Sequence, residues 1–173
     1  MADTYTASLT SVPFATNKIM FAGFNGSGSG VIMKVYRLWV KNIQTTAIVG
    51  VPVVMEIKRI STFSGGIPAQ TNRYSTNNAA IPAQVQFAAG ATVTEGGIFR
   101  RFPYSTDEPL IGTGTVDEIE LQRPWMCFWD YGGNTNDVIQ PLVLREGQGV
   151  AIKNITTVAV FPFIDITCEF TLE

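Results

Sequence analysis

Histidine is absent from the 173-residue chain. That removes the usual Ser–His–Asp and Cys–His catalytic systems and the commonest metal ligand. Cysteine is scarce: Cys127 and Cys168 lie far apart and form no CxxC pair, so they cannot build a structural zinc site within one chain. One disulfide between them stays open, because sequence does not show whether the geometry fits; free, buried thiols are the favoured reading. Charge is sparse as well, 15% of residues against the usual ~25%. With a net charge of −2 and a pI near 5.2, no broad pull toward nucleic acid or an anionic membrane is expected. No apolar run approaches the ~20 residues of a membrane helix. The start "MADTYTASLT" has neither a basic segment nor an apolar core, so it does not read as a signal peptide, and synthesis in a cytoplasm is expected. On that footing the glycosylation patterns at Asn25-Gly26-Ser27 and Asn154-Ile155-Thr156 read as chance.

What is present is apolar and strand-forming. The 46% apolar share is ordinary for a globular protein, and the length suits one domain that needs no disulfide or metal to hold its core. In the closing "FIDITCEFTLE", Ile164, Ile166, Cys168, Phe170 and Leu172 alternate with Asp165, Thr167, Glu169, Thr171 and Glu173. That alternation predicts a strand with one buried and one wet face. Val53, Met55 and Ile57 against Glu56 and Lys58 repeat it, as do Val150 and Ile152 in "GVAIKN". "KIMFAGFNG" and "VIMKVYRLWVKN" alternate less cleanly and predict strands covered on both faces. "GIFRRF", "DEIELQ", "PWMCFWDY" and "IQPLVL" are shorter candidates. Short strands with Gly, Asn and Pro between them point to an all-β sandwich or barrel. Hairpin turns are expected at Glu146-Gly147-Gln148-Gly149 and at Asn25-Gly26. The longest loop, Ser61–Gln84, holds "IPAQ" twice, too short a match to be a repeat, and a loop of that length is expected to be functional or ordered by a partner.

Five stretches invite a chemical reading. "GFNGSGSGVIMK" (Gly23–Lys34) has the look of a phosphate loop. A Walker loop, however, ends in Gly-Lys-Ser/Thr, and a dinucleotide loop opens a helix. Here Gly30 runs into the strand-like "VIMKVYRLWV", so a hairpin loop forming a flexible crossing between neighbouring strands is expected. "PWMCFWDYGGN" gathers Trp125, Phe128, Trp129 and Tyr131 beside Asp130. Exposed, these aromatics would stack on sugars; a core strand or a subunit interface accounts for them with no ligand and is favoured. Carboxylates cluster at Asp107-Glu108 and at Asp117, Glu118 and Glu120. Such groups serve glycoside hydrolysis or calcium, but no calcium-loop pattern is present and a solvated strand edge explains them. Arg100-Arg101 sits among aromatics, as on single-strand nucleic acid binders. Neighbours on a strand point to opposite faces, so the two make no stripe, and one of them is a candidate to pair with an acid across an interface. No catalytic residue, metal or cofactor is expected.

The order of segments then carries a resemblance. "YTASLTSVPFATNK", "NGSGSGVIMKVYRLWVKNIQT", "ATVTEGG…FRRF…STDE", "LREGQGVAI" and the closing alternating strand resemble small β-rich virion proteins of tailed bacteriophages. The likeness covers most of the chain as a pattern of strands and turns. It implies a capsid decoration, or cement, protein: a jelly-roll-like antiparallel β-sandwich, one domain over 1–173, with residues 1–17 as an extended N-terminal arm. It implies no enzymatic activity and a place on the capsid surface after synthesis in the host bacterial cytoplasm. It also implies the major capsid protein as partner and self-association, a trimer favoured over a dimer, with no nucleic acid and no membrane. Interface or ligand contact then falls to Trp125, Phe128, Trp129, Tyr131, Arg100 and Arg101. A carbohydrate-binding or fibre module of the particle is the competing expectation.

Overall fold

The computed structural model describes residues 3–42, 51–106, 126–130, 140–156 and 163–173. Among them run twelve strands and no helix. In chain order they are β1 (Asp3–Pro13), β2 (Ile19–Asn25), β3 (Met33–Asn42), β4 (Val51–Ser64), β5 (Ile67–Pro68), β6 (Gln70–Arg73), β7 (Val85–Ala89), β8 (Thr92–Thr106), β9 (Met126–Asp130), β10 (Leu142–Leu144), β11 (Gln148–Asn154) and β12 (Phe163–Leu172). They form two sheets. Sheet A has the order β10–β3–β12–β1–β6, with β9 also paired to β3; sheet B has the order β5–β7–β2–β11–β4–β8. Every pairing is antiparallel. β9 and β10 follow one another along the same side of β3, one beside Arg37–Val40 and the other beside Met33–Val35.

The connections make this a jelly roll. Counting β9 and β10 as one interrupted strand, β1–β12–β3–β9/β10 faces β2–β11–β4–β8, and the chain crosses between the sheets from β1 to β2, β2 to β3 and β3 to β4. Two interleaved Greek keys have this order. Strands β5, β6 and β7 are an insertion between β4 and β8. They reach round to the opposite edges, β6 adding to β1 and β7 to β2. The stretch read as one long loop at Ser61–Gln84 therefore begins as the end of β4 and then lengthens both sheets of its own domain.

Alternation places the core between the sheets. Ile164, Ile166, Cys168 and Phe170 of β12 are fully buried, as are Val53, Met55 and Ile57 of β4 and Val150 and Ile152 of β11. Tyr5 stacks on Phe170 with ring centroids 5.4 Å apart, Phe170 meets Phe87 at 4.7 Å, and Phe87 meets Phe21 at 6.1 Å. These rings cross from sheet A to sheet B and fill the interior. Leu172 continues the alternation, half-buried against the same core, while its neighbour Thr171 is buried as well.

β2 is covered on both faces, for a visible reason. β4 and β8 outrun the rest of sheet B and pair through Phe63 and Val93 to Ser64 and Thr92. Phe63 thereby stacks on Phe24, centroids 6.0 Å apart. Beneath them Ile19, Ala22, Ile60, Ala88, Ala91 and Ala151 form a second, smaller apolar cluster.

Two expectations need correction. Asp3–Pro13, within the expected arm, is a strand held between β12 and β6, with Tyr5, Ala7, Leu9 and Val12 buried. Its TYTASL alternation already supplied one apolar face. Neither expected hairpin is a hairpin either. The turn at Arg145–Gln148 exists, with Gln148 N–H on Arg145 O at 3.0 Å and Gly147 at φ 73°. It joins β10 in sheet A to β11 in sheet B, and the turn after Asn25 joins β2 in sheet B to β3 in sheet A. Turn residues report a reversal of the chain; they do not report which strand it finds next.

Candidate functional site

The glycine-rich loop does bind an anion, and the anion is its own. Ser29 N–H closes a turn on Gly26 O, and Gly28 and Gly30 adopt φ 78° and 71°. In this conformation the N–H groups of Gly28 and Gly30 donate to the two carboxylate oxygens of Glu146, at 3.1 and 2.8 Å. Successive backbone N–H groups aimed at one point make an anion nest. The hydrogen bond from Gly30, then that from Gly28, holds the Glu146 carboxyl below its ordinary pKa of 4.5. Gly147 N–H adds a bond to Asn25 O at 2.7 Å. The loop expected to be a flexible crossing is thus tied to the other sheet-to-sheet turn.

Both glycosylation patterns prove to be crossing points. Asn25 is fully buried, and its Nδ2 donates to Val31 O at 2.8 Å and Leu144 O at 3.0 Å, pinning both crossings at this end of the sandwich. Its Oδ1 has no partner. Asn154 does the same at the other end. Its Nδ2 donates to Ala15 O at 2.7 Å, and its Oδ1 accepts Thr156 N–H at 3.0 Å. Thr156 Oγ1 accepts Val54 N–H at 2.6 Å. The Asn and Thr that spell a sequon are there for their amide and hydroxyl.

Arg101 and Arg100 separate as the strand period requires. Arg101 lies opposite Glu56 and donates to Glu56 Oε1 through Nε at 2.9 Å and through a second, closer guanidinium nitrogen. The acid it pairs with is therefore on the neighbouring strand of its own sheet. Glu56 has only 5% of its side chain exposed and also lies 3.7 Å from Lys58. Lys58 continues to Glu95 at 2.5 Å, and Lys153 reaches the same carboxylate at 2.6 Å. Burial pushes the Glu95 carboxyl up, but the hydrogen bonds from Lys153 and Lys58 outweigh it and leave the pKa lowered. Arg100 lies on the other face, over the Phe102 ring at 5.6 Å. This ladder cross-links β4, β8 and β11, and each of its charges already has a partner.

Of the aromatic cluster, Trp125 and Tyr131 lie outside the described residues. Phe128 and Trp129 belong to β9, whose backbone pairs with β3. A register shift between Leu38 and Trp39 falls opposite Phe128, so period-two alternation does not run unbroken through this strand. The described side chains here include Asp130, which accepts from Arg37 Nε at 2.9 Å. Asp107, Glu108, Asp117, Glu118 and Glu120 also lie outside the described residues. Among the described residues, no group of His, Cys, Asp and Glu could hold a metal ion.

Cys168 is buried and free, and its burial pushes the thiol pKa up. Cys127 and Cys168 lie on strands either side of β3. Strands are ~4.8 Å apart, which puts these Cα atoms near 10 Å, beyond the ~7 Å limit for a disulfide.

Among the described residues, the edges at β5, β6 and β8 are guarded. β6 and β5 are edge strands of four and two residues. β8 is long, but its register shifts three times between Thr94 and Arg100, and bulges of this kind blunt an edge. Beyond them stands Pro103. Ile155 N–H donates to Val54 O and Val54 N–H to Thr156, so Val54 turns its backbone groups toward the β11 side. Pro103, paired with Val54, then turns its own groups outward, where proline offers no N–H.

The fold and these contacts define a jelly-roll β-sandwich with a filled interior and pinned crossings. No family model matches the chain, and neither the curated proteins nor the solved structures contain a match.

Proposed function

We propose that the protein is a non-enzymatic structural component of a virus particle, a decoration protein that sits on the outer surface of a tailed-phage head and braces it. The resemblance of its segments to such proteins suggests the role. The observation that carries it is the packed interior. The space between the sheets, where jelly-roll enzymes hold their metal, is occupied by Tyr5, Phe170, Phe87 and Phe21. What such a molecule offers is its surface and its rigidity. The ladder from Arg101 to Lys153 and the ties at Asn25, Asn154 and Glu146 all resist shear between strands and sheets.

The guarded edges favour side-chain contact over strand addition as the means of association with the major capsid protein and with further copies, in a trimer. Mass spectrometry and electron cryo-microscopy of purified particles of the encoding virus test the role. The expected result is the polypeptide at regular positions on the shell. Its absence from intact particles overturns the proposal.

A further inference from the structure

On the outer face of sheet A one aromatic ring is exposed yet held in place. Tyr74 follows β6, and its N–H donates to Thr4 O of β1 at 3.0 Å. Its hydroxyl donates to Glu169 Oε1 of β12, also at 3.0 Å. β1 lies between β6 and β12. The span from β6 to β12 is two strand spacings, ~10 Å, so a tyrosine that closes this bond must lie along the sheet rather than stand away from it. The residue is nonetheless 61% exposed. Its ring therefore runs along the sheet, exposed, with its direction set before anything binds.

The groups beside it are neutral hydrogen-bonding side chains in register. Thr6 pairs with Asn72, and Ser8 pairs with Thr167 on one side and Gln70 on the other. Asn72 and Gln70 are exposed, and Thr6, Ser8 and Thr167 half-buried. The charges nearby are already engaged. Arg37 holds Asp130 at 2.9 Å and Glu169 at 3.2 Å, which leaves one positive against two negative charges, while Lys34 is matched by Glu173 at 2.5 Å. Arg73, one residue before Tyr74, adds a positive charge whose guanidinium donates to Asn78 O at 2.9 Å, so two positive charges stand against two negative ones around Tyr74 and the face carries no strong field of either sign.

We infer that this face is a binding site for a neutral glycan, one pyranose stacking its C–H face on Tyr74 while its hydroxyls exchange hydrogen bonds with Asn72, Thr6 and their neighbours. A sugar ring combines the two things the surface presents: an apolar face of ring size and a fringe of hydroxyls that act as both donor and acceptor. The bond to Glu169 matters because it limits the rotamer freedom that binding would otherwise remove. The inference does not depend on where the protein resides.

The test uses the whole chain and a panel of neutral hexasaccharides: cellohexaose, xylohexaose, maltohexaose, mannohexaose and N-acetylchitohexaose. Binding is read by saturation-transfer and amide-shift NMR. At least one hexasaccharide is expected to bind with a dissociation constant on the order of a millimolar, as suits one ring on an open face, shifting the amides of Asn72 and Tyr74. Tyr74→Ala, checked for an intact fold by circular dichroism, should weaken it about tenfold, the size of a single stacking contact. Tyr74→Phe keeps the ring but frees it, and should fall between the two. Failure of the whole panel at tenfold higher concentration overturns the inference, as does undiminished binding by Tyr74→Ala.

Discussion

Individual polar residues in this protein act where the chain changes sheets. Asn25 and Asn154 are both fully buried, but they are not equivalent. Asn154 uses both ends of its amide, whereas Asn25 leaves its oxygen without a partner. Truncation to alanine removes the donor to Leu144 O and Val31 O at position 25, where Val31 O keeps Ser29 Oγ at 3.4 Å, and at position 154 removes the acceptor of Thr156 N–H and a donor to Ala15 O, which keeps Lys18 N–H at 3.3 Å. A buried group stripped of its partner costs about 1–3 kcal/mol. Asn25→Ala also removes an unsatisfied oxygen, which offsets part of that loss. Urea unfolding should therefore show both variants destabilised, with Asn154→Ala the more severe, by about 2–3 kcal/mol against about 1–2. Equal losses would mean that the Asn25 oxygen is satisfied in solution. Gly149 is constrained by space instead: a Cβ there would stand 2.5 Å from Gly23 O and 2.7 Å from Ile60 Cγ1. Gly149→Ala should cost about 1–3 kcal/mol, the range of overpacked cores, as a lower urea midpoint at unchanged slope. Neither demand could be read from the residue types. Asn-Gly-Ser and Asn-Ile-Thr match a glycosylation signal letter for letter, and only burial reveals what the amides do.

At the scale of elements, the link between the two crossings is the point of interest. The β2–β3 and β10–β11 crossings are held together by Glu146 in the nest of Gly28 and Gly30. Its carboxyl is held below 4.5 in the folded protein. Unfolding releases it to its ordinary value, so the folded state gains from this bond above that value. The gain is lost as pH falls through the depressed folded-state pKa. Glu146→Gln keeps the shape and discards the charge. Thermal melts should show the wild type more stable near neutral pH, with the gap to Glu146→Gln closing as pH drops below 4.5. A gap that stays constant to the most acid pH would show that the charge contributes nothing. Strand existence was widely legible, because alternation over β4, β11 and β12 follows directly from the period of two, though the same alternation in β1 stood inside an expected arm. Pairing was not. Both expected hairpins turned out to connect opposite sheets, since the same Gly and Asn chemistry serves a tight hairpin and a sheet-to-sheet arch.

For the whole molecule, the issue is what would keep a sandwich with fifteen residues in β8, an edge strand among the described residues, from pairing with another copy. The bulges before Arg100 and the missing N–H at Pro103 supply the answer. Pro103→Thr should restore a donor at the outward position and a regular edge over the last turn-free residues of β8. Sedimentation velocity is expected to show concentration-dependent species larger than the wild-type assembly. A variant that sediments as the wild type does would place the protection in the bulges alone.

The sequence by itself determined the class of fold, the faces of most strands and the material of the core, because these depend on local period and on the free energy of burying apolar side chains. It also determined that histidine chemistry is closed to this protein. Tertiary structure alone decided what the suggestive motifs do. It filled the glycine nest with Glu146, paired Arg101 with Glu56, turned the longest loop into the end of β4 and two edge strands, and laid Tyr74 across β1. Each of these joins groups distant along the chain, with 116 residues separating Gly30 from Glu146 and 95 separating Tyr74 from Glu169. No local pattern encodes such a meeting. It follows from the order in which the strands are hydrogen-bonded, which is a property of the folded whole.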